Sequence, residues 1–167
     1  MAKDTQRQRK ITITDTLLLG ANAVIQRKSG NDSVIGIGGN KVLTAAYSVK
    51  ESETGSHFFL NTVTGFPTTL PALKSGLEYW FHIGATEPTT SHTVVTNGSA
   101  NVINGNLASP DMNAASDVTV TADADTISFI ASKALHGDFA HLYCDGTNWY
   151  LDGMCKAFDG MTTTQAS

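Results

Sequence analysis

Short apolar and β-branched runs alternate with turn residues along most of this 167-residue chain. From Gly55 onward a new run begins about every 8 to 12 residues, and no 11-residue window keeps the spacing of a helix. The runs occupy residues 57–63, 77–83, 92–96, 100–103, 117–122, 126–131, 139–144 and 147–151. This rhythm predicts an all-β fold, an antiparallel β-sandwich or barrel of jelly-roll-like form.

The composition fits one folded domain with extensions at both ends. The chain is 41% apolar and only 16% charged, and a chain of this length can bury roughly 70% of its unfolded surface. We predict an extended N-terminal arm with lead strands over residues 1–40, the β-sandwich or barrel over 41–158, and a mobile tail over 159–167. Residues 104–116 lack strand periodicity and contain Pro110, so they are expected to form a long loop.

A hairpin near the carboxyl end has the clearest local signal. Asp145-Gly146 lies between two strand-like runs and favours a two-residue type I′ turn. That register places Leu142 opposite Trp149 on a core face, and His141 opposite Tyr150 on the other. The second face carries Phe139, His141, Tyr143 and Tyr150. Amphipathic rings of this kind are enriched at interfaces, which predicts a subunit interface, with ordinary partial burial as the alternative.

Charge is distributed unevenly along the chain. Residues 1–28 hold six basic and two acidic side chains, whereas residues 29–167 hold five basic and thirteen acidic ones. A basic lead before an acidic body favours an arm that docks on an anionic surface, with a solvated terminus as the alternative. The candidate arm contacts are Arg7, Arg9, Lys10, Ile11 and Ile13, because period-two alternation at 11–14 suits strand addition to a sheet edge.

The sequence gives no pattern of catalysis, cofactor binding or metal binding. The segment 36–41 is rich in glycine but lacks the spacing of a phosphate-binding loop. His141 and Cys144 would point to opposite faces of one strand, so they cannot share a compact metal site with His136, Asp138 and Cys155. We therefore expect a protein that is not an enzyme and carries no cofactor or metal.

Two further classes of partner are not expected. Aromatic residues cluster at 57–81 and 139–158, where cations are sparse, which disfavours nucleic-acid binding. No apolar run approaches the roughly 18 residues needed to span a bilayer. A carbohydrate-binding face remains an alternative. It would use rings that could stack on sugars, Tyr79, Trp80, Tyr143, Trp149 and Tyr150.

Several motifs resemble the capsid decoration, or head cement, proteins of tailed bacteriophages. The resemblance covers about residues 55–155. It rests on Gly55-Ser56-His57-Phe58-Phe59-Leu60-Asn61, Gly65-Phe66-Pro67-Thr68-Thr69-Leu70-Pro71-Ala72 and Gly76-Leu77-Glu78-Tyr79-Trp80-Phe81. It rests also on Asp125-Thr126-Ile127-Ser128-Phe129-Ile130-Ala131, Gly137-Asp138-Phe139 and Cys144-Asp145-Gly146-Thr147-Asn148-Trp149-Tyr150-Leu151. The last of these is similar also to modules of tail fibres and spikes.

The resemblance implies a structural protein of the virion. Such a protein would be synthesised in the cytoplasm of the bacterial host, would bind the major capsid protein on the outer surface of the head, and would bridge neighbouring capsid subunits. A homotrimer is expected from the same resemblance. The alternative is a tail-fibre or spike-type module that binds a receptor or a carbohydrate.

Overall fold

The computed structural model describes residues 25–26, 34–35, 38–84, 88–109 and 118–167. In these ranges the secondary structure consists of β-strands and two 3-10 helices, Glu51–Glu53 and Asn97–Ser99. The strands are β1 (Ile25–Gln26), β2 (Val34–Ile35), β3 (Asn40–Leu43), β4 (Tyr47–Ser48), β5 (Ser56–Leu60), β6 (Pro67–Thr69), β7 (Glu78–Ile83), β8 (His92–Val95), β9 (Ile103–Ala108), β10 (Val118–Ala124), β11 (Thr126–Phe129), β12 (Phe139–Cys144), β13 (Trp149–Met154) and β14 (Met161–Thr164). Within the described part of the chain, no helix has the length and apolar character that crossing a bilayer requires.

Two sheets form a β-sandwich, which confirms the all-β prediction. The larger sheet has seven strands in the order β10-β9-β13-β12-β7-β5-β3, and the smaller has five in the order β14-β11-β8-β6-β4. Strands β1 and β2 form a separate antiparallel pair. The candidate arm residues Arg7, Arg9, Lys10, Ile11 and Ile13 lie outside the described residues.

The sheets are mixed rather than purely antiparallel as predicted, because the chain alternates between them. From β3 to β8 each strand joins the sheet opposite to that of the strand before it. Neighbouring strands within one sheet are therefore two apart along the chain and run in the same direction. The pairs β3–β5, β5–β7, β4–β6 and β6–β8 are therefore parallel. Of the later pairs, β7–β12, β12–β13 and β8–β11 are antiparallel, whereas β9–β13 is parallel.

The core between the sheets is dominated by aromatic side chains. Phe58, Tyr79, Phe81, Phe129 and Trp149 are all at most 1% exposed. Burying a ring of this size contributes roughly 1.5–3 kcal/mol. Tyr79 also donates its hydroxyl to the Lys50 carbonyl oxygen at 3.1 Å, so its polar end is satisfied inside the core. This burial fixes which residues of β5, β7 and β13 point inward.

The hairpin between β12 and β13 differs from its predicted register by two residues. Cys144 pairs with Trp149, and Tyr143 pairs with Tyr150, so four residues connect the strands. The Asp145 carboxylate accepts hydrogen bonds from the backbone N–H groups of Thr147 and Asn148 at 2.7 and 2.8 Å. These bonds stabilise a longer turn than the Asp-Gly pair alone would need. A shift of two residues keeps every side chain on its predicted face.

Two other expectations are wrong in part. The loop predicted over 104–116 overlaps a strand, because β9 continues to Ala108 and pairs with β13. The tail expected over 159–167 to be mobile contains β14, which pairs along its whole length with β11. Strands β3, β4 and β6 were not predicted either, since they are short and owe their pairing to distant strands.

Gly105 is required where β9 lies beside β13 in the larger sheet. Its φ of +150° is rarely adopted by residues with side chains, and an added Cβ would overlap the backbone of Leu151 on β13. We expect Gly105→Ala to lower the free energy of unfolding by more than about 2 kcal/mol. Gly39→Ala is the matched control, because no atom lies within 4 Å of an added Cβ there. Urea unfolding of the two variants should separate them clearly; equal stabilities would contradict this account.

Candidate functional site: an aromatic sheet face

The outward side of the larger sheet carries a continuous group of rings from four adjacent strands. Inward residues of these strands are buried, so period-two alternation places the intervening residues on the outside. We call this surface the aromatic face. It comprises His57 and Phe59 of β5, Trp80 and His82 of β7, Phe139, His141 and Tyr143 of β12, and Tyr150 of β13.

The rings stack on one another across the strands. Trp80 lies between His57 and His141, with ring centroids 5.4 and 3.8 Å apart and planes within 10° of parallel. His82 stacks on Phe59 at 5.0 Å. These separations between ring centroids are close to the ~4.8 Å between neighbouring strands. The rings therefore stand on edge from the sheet, and the surface presents ring edges outward.

Polar atoms within the face bond mainly to one another. Nδ1 of His57 lies 3.0 Å from Nε2 of His82, so one of these nitrogens donates and the other accepts. Burial, together with the nearby His57, lowers the pKa of His82. Nε2 of His141 lies 2.8 Å from a carboxylate oxygen of Glu78. These contacts hold the rings in fixed orientations.

The hairpin end of the face is anchored by Asp145. Bonds from the backbone of Asn148 and Thr147 hold the pKa of this carboxyl well below its usual range. Its second oxygen accepts the hydroxyl of Tyr150 at 3.0 Å, which raises the pKa of that phenol. Tyr150 in turn stacks on Tyr143 at 5.3 Å. The turn thus positions the two tyrosines.

Exposed apolar side chains are concentrated on the same side. Val42 is 60% exposed, Met154 49% and Tyr143 42%, and the register places Val42 beside Phe59 and Met154 beside Phe139. Only Val63 and Phe158 are comparably exposed elsewhere among the described residues.

The outward side of the smaller sheet is rich in hydroxyls by contrast. Its residues include Ser48, Thr69, Thr93, Thr126, Ser128, Thr162 and Thr164.

The four predicted interface residues lie together. Phe139, His141, Tyr143 and Tyr150 all belong to the aromatic face, although the structure contains no partner that would test their role as an interface. Sequence reasoning missed His57, Phe59 and His82, and it considered Trp80 only for a carbohydrate-binding face. Their strands carry aromatic residues on both faces, so period-two alternation did not distinguish outward from inward positions.

The geometry of the rings disfavours sugar stacking. Tyr79 and Trp149, two of the five rings considered for it, are buried in the core. A sugar needs the flat face of a ring, and both faces of Trp80 are covered by histidines. Ring edges with aliphatic neighbours instead suit contact with an apolar protein surface.

The candidate metal ligands do not converge. Asp138 is buried and accepts the backbone N–H groups of Leu135 and Lys156 at 2.8 and 2.9 Å. Cys144 and Cys155 are free, buried thiols whose pKa is raised by burial. Among the residues that the structure describes, no three His, Cys, Asp or Glu side chains are grouped to hold a metal ion.

A small cavity lies at one end of the sandwich, away from the aromatic face. Its volume is about 160 Å³. The residues that line it are Pro71, Ala72, Leu73, Thr96, Asn97, Ala100, Val102 and Trp149. None of these side chains is an acid or a base, so the cavity offers no group for proton transfer.

Comparison with protein-family models, with curated proteins and with solved structures finds no match to the chain.

We expect two histidines to make the stability depend on pH. His92 is buried, donating from Nε2 to the Thr62 carbonyl oxygen and accepting the Phe66 N–H at Nδ1. Burial lowers the pKa of both His92 and His82. As the pH falls, these two histidines therefore become protonated in the unfolded chain at a higher pH than in the folded protein. The free energy of unfolding should be at its full value above about pH 6.5 and decrease below it.

Urea unfolding between about pH 8 and pH 5 measures how the free energy of unfolding depends on pH. This range lies above the pKa of ordinary carboxylates, so mainly histidines change their charge within it. His82→Gln should reduce the slope, because one of the two contributing rings is removed. A stability that is constant over this range in the parent chain would show that neither histidine is held neutral by the fold.

Proposed function

We propose that this protein is a structural protein of a tailed-phage virion that decorates the outer surface of the head. It would bind the major capsid protein and bridge neighbouring capsid subunits. The proposal rests on one observation, the aromatic face, together with the resemblance of residues 55–155 to head decoration proteins. Synthesis in the host cytoplasm and assembly as a homotrimer belong to the same proposal.

The composition of the aromatic face supports protein binding. Its rings are already ordered by stacking and by the His57–His82 and His141–Glu78 bonds, so a partner would immobilise few additional side chains. Pre-ordering of this kind raises affinity by reducing the entropy lost on association. Tryptophan and tyrosine, which the face contains, are also among the side chains that contribute most binding free energy to protein interfaces.

The two outward faces of the sandwich have different roles in this proposal. The aromatic face would lie against protein, either a capsid subunit or a second copy in the trimer. The hydroxyl-rich face of the smaller sheet, with residues such as Thr162 and Thr164, would remain in contact with solvent. A protein attached to a shell needs this difference between its two sides.

Stabilisation of the shell would follow from linkage. A protein that binds assembled capsid but not separated subunits lowers the free energy of assembly by its binding free energy at every occupied site. Arg7, Arg9, Lys10, Ile11 and Ile13 would supply a second contact, with the cations on acidic capsid surface and the isoleucines on an exposed sheet edge. Two linked contacts bind more tightly than either one alone.

Substitutions on the aromatic face test the proposal directly. We expect the double variant Tyr143→Glu/Met154→Glu to bind undecorated heads of the same phage at least about 30-fold more weakly, since two charges would enter an apolar contact. Both side chains are more than 40% exposed, so the fold should tolerate them. Thr162→Glu on the opposite side is the control and should bind normally. Co-sedimentation with heads gives the affinities, and equal binding of all three proteins would refute the proposal.

The position of the protein on virions distinguishes decoration from receptor binding. Fluorescently or gold-labelled protein added to particles that lack it should label the whole head evenly. Labelling confined to the tail tip would contradict decoration and favour the tail-fibre alternative. Retention of host glycans on an array would favour that alternative as well.

A further inference from the structure

The chain contains two Asn-Gly pairs, Asn97-Gly98 and Asn104-Gly105. In such a pair the backbone nitrogen of the glycine can reach the side-chain amide carbon of the asparagine, because glycine has no Cβ that would hinder the approach. Attack by this nitrogen closes a five-membered succinimide ring and leads to loss of the amide. The two pairs are equivalent in their local sequence, so the fold decides which of them can react.

The pair Asn97-Gly98 lies at the surface, in the connection between β8 and β9. Asn97, Gly98 and Ser99 form a short 3-10 helix, and all three are exposed. The first N–H groups of a helix have no partner within it. The Thr96 side chain does not cap them, because its hydroxyl donates to the Ala100 carbonyl oxygen at 2.8 Å instead. Apart from its chain neighbours, no described residue lies within 4 Å of a Cβ added at Gly98. The Gly98 nitrogen is therefore accessible to the side chain before it.

The pair Asn104-Gly105 is held within the larger sheet. Both residues belong to β9, which pairs with β10 on one side and with β13 on the other. The side-chain oxygen of Asn104 accepts the backbone N–H of Asp123 at 3.0 Å. The Gly105 backbone lies so close to Leu151 that an added Cβ would overlap it. Ring closure would require Asn104 to leave its hydrogen bond and β9 to separate from its neighbours, so the fold protects this pair.

We propose that Asn97 is a site of spontaneous deamidation in the folded protein and that Asn104 is protected from the same reaction. The Gly98 nitrogen loses its proton and forms a bond to Cγ of Asn97, while the bond from Cγ to the amide nitrogen breaks and ammonia leaves. Water then opens the ring. Cleavage between the ring nitrogen and Cγ gives an aspartate. Cleavage between the ring nitrogen and the backbone carbonyl carbon gives an isoaspartate, in which the main chain runs through the former side chain.

Either product changes the connection between the two sheets. Strand β8 belongs to the smaller sheet and β9 to the larger one. The reaction replaces a neutral amide by a carboxylate, which adds one negative charge to a chain whose net charge is already −4. Asn97 also lines the small cavity beside Trp149, so the new charge lies at that cavity and away from the aromatic face. The modification is independent of whether the protein decorates a head.

Incubation of the full-length protein in mildly alkaline buffer tests this assignment. Replacement of the amide by a carboxylate changes the mass, and fragmentation mass spectrometry assigns the change to residue 97 or 104. We expect the change at Asn97 to form at least about tenfold faster than at Asn104, because opening a paired strand costs more than the ~1.4 kcal/mol to which a tenfold rate corresponds. Incubation in guanidinium chloride should bring the two rates together, since unfolding removes the protection of Asn104.

Two variants provide the controls. Gly98→Ala should slow the reaction at Asn97, because its methyl group hinders ring closure, and Asn97→Gln should abolish it, because glutamine would have to close a larger ring. Neither substitution should alter the rate at Asn104. Equal rates at the two asparagines in the folded protein would overturn the proposal. So would a folded protein in which Asn104 reacts faster, or in which neither residue reacts under conditions where the unfolded chain does.

Discussion

Burial of Phe58, Tyr79 and Trp149 between the sheets determines the arrangement of the rest of the molecule. Side chains alternate along a strand, so a residue locked inward fixes the direction of its neighbours. Once Tyr79 and Phe81 face the core, Trp80 must face outward, and the same holds for His57 and Tyr150. The aromatic face is therefore a consequence of the core, and it cannot slip by one residue without exposing the core rings.

The sequence predicted what local patterns control. The β-class, the core face of β12 and the outward positions of Phe139, His141, Tyr143 and Tyr150 all follow from period-two alternation over a few residues. The two-residue error in the hairpin arose because the Asp145 side chain bonds to Thr147 and Asn148 and lengthens the turn. Such side-chain contacts are not visible in a pattern of apolar and polar residues.

What the sequence could not predict depends on distant pairing. Strand β14 consists largely of threonine and becomes a strand only because β11 lies beside it. Half of the aromatic face, His57 and Phe59 with Trp80 and His82, joins the other half through the pairing of β7 with β12, some sixty residues later. The alternation of the chain between sheets, and hence the parallel pairs among β3 to β8, also lies beyond any short window of sequence.

Because the aromatic face spans the pairing of β7 with β12, it forms only when the larger sheet is assembled. The rings on β5 and β7 come from the first half of the chain, and those on β12 and β13 come from its end. Trp80 meets His141 only after β12 has packed beside β7. Chains cut between β7 and β12 consequently lack the assembled aromatic face. The aromatic face is thereby a property of the finished fold rather than of any fragment.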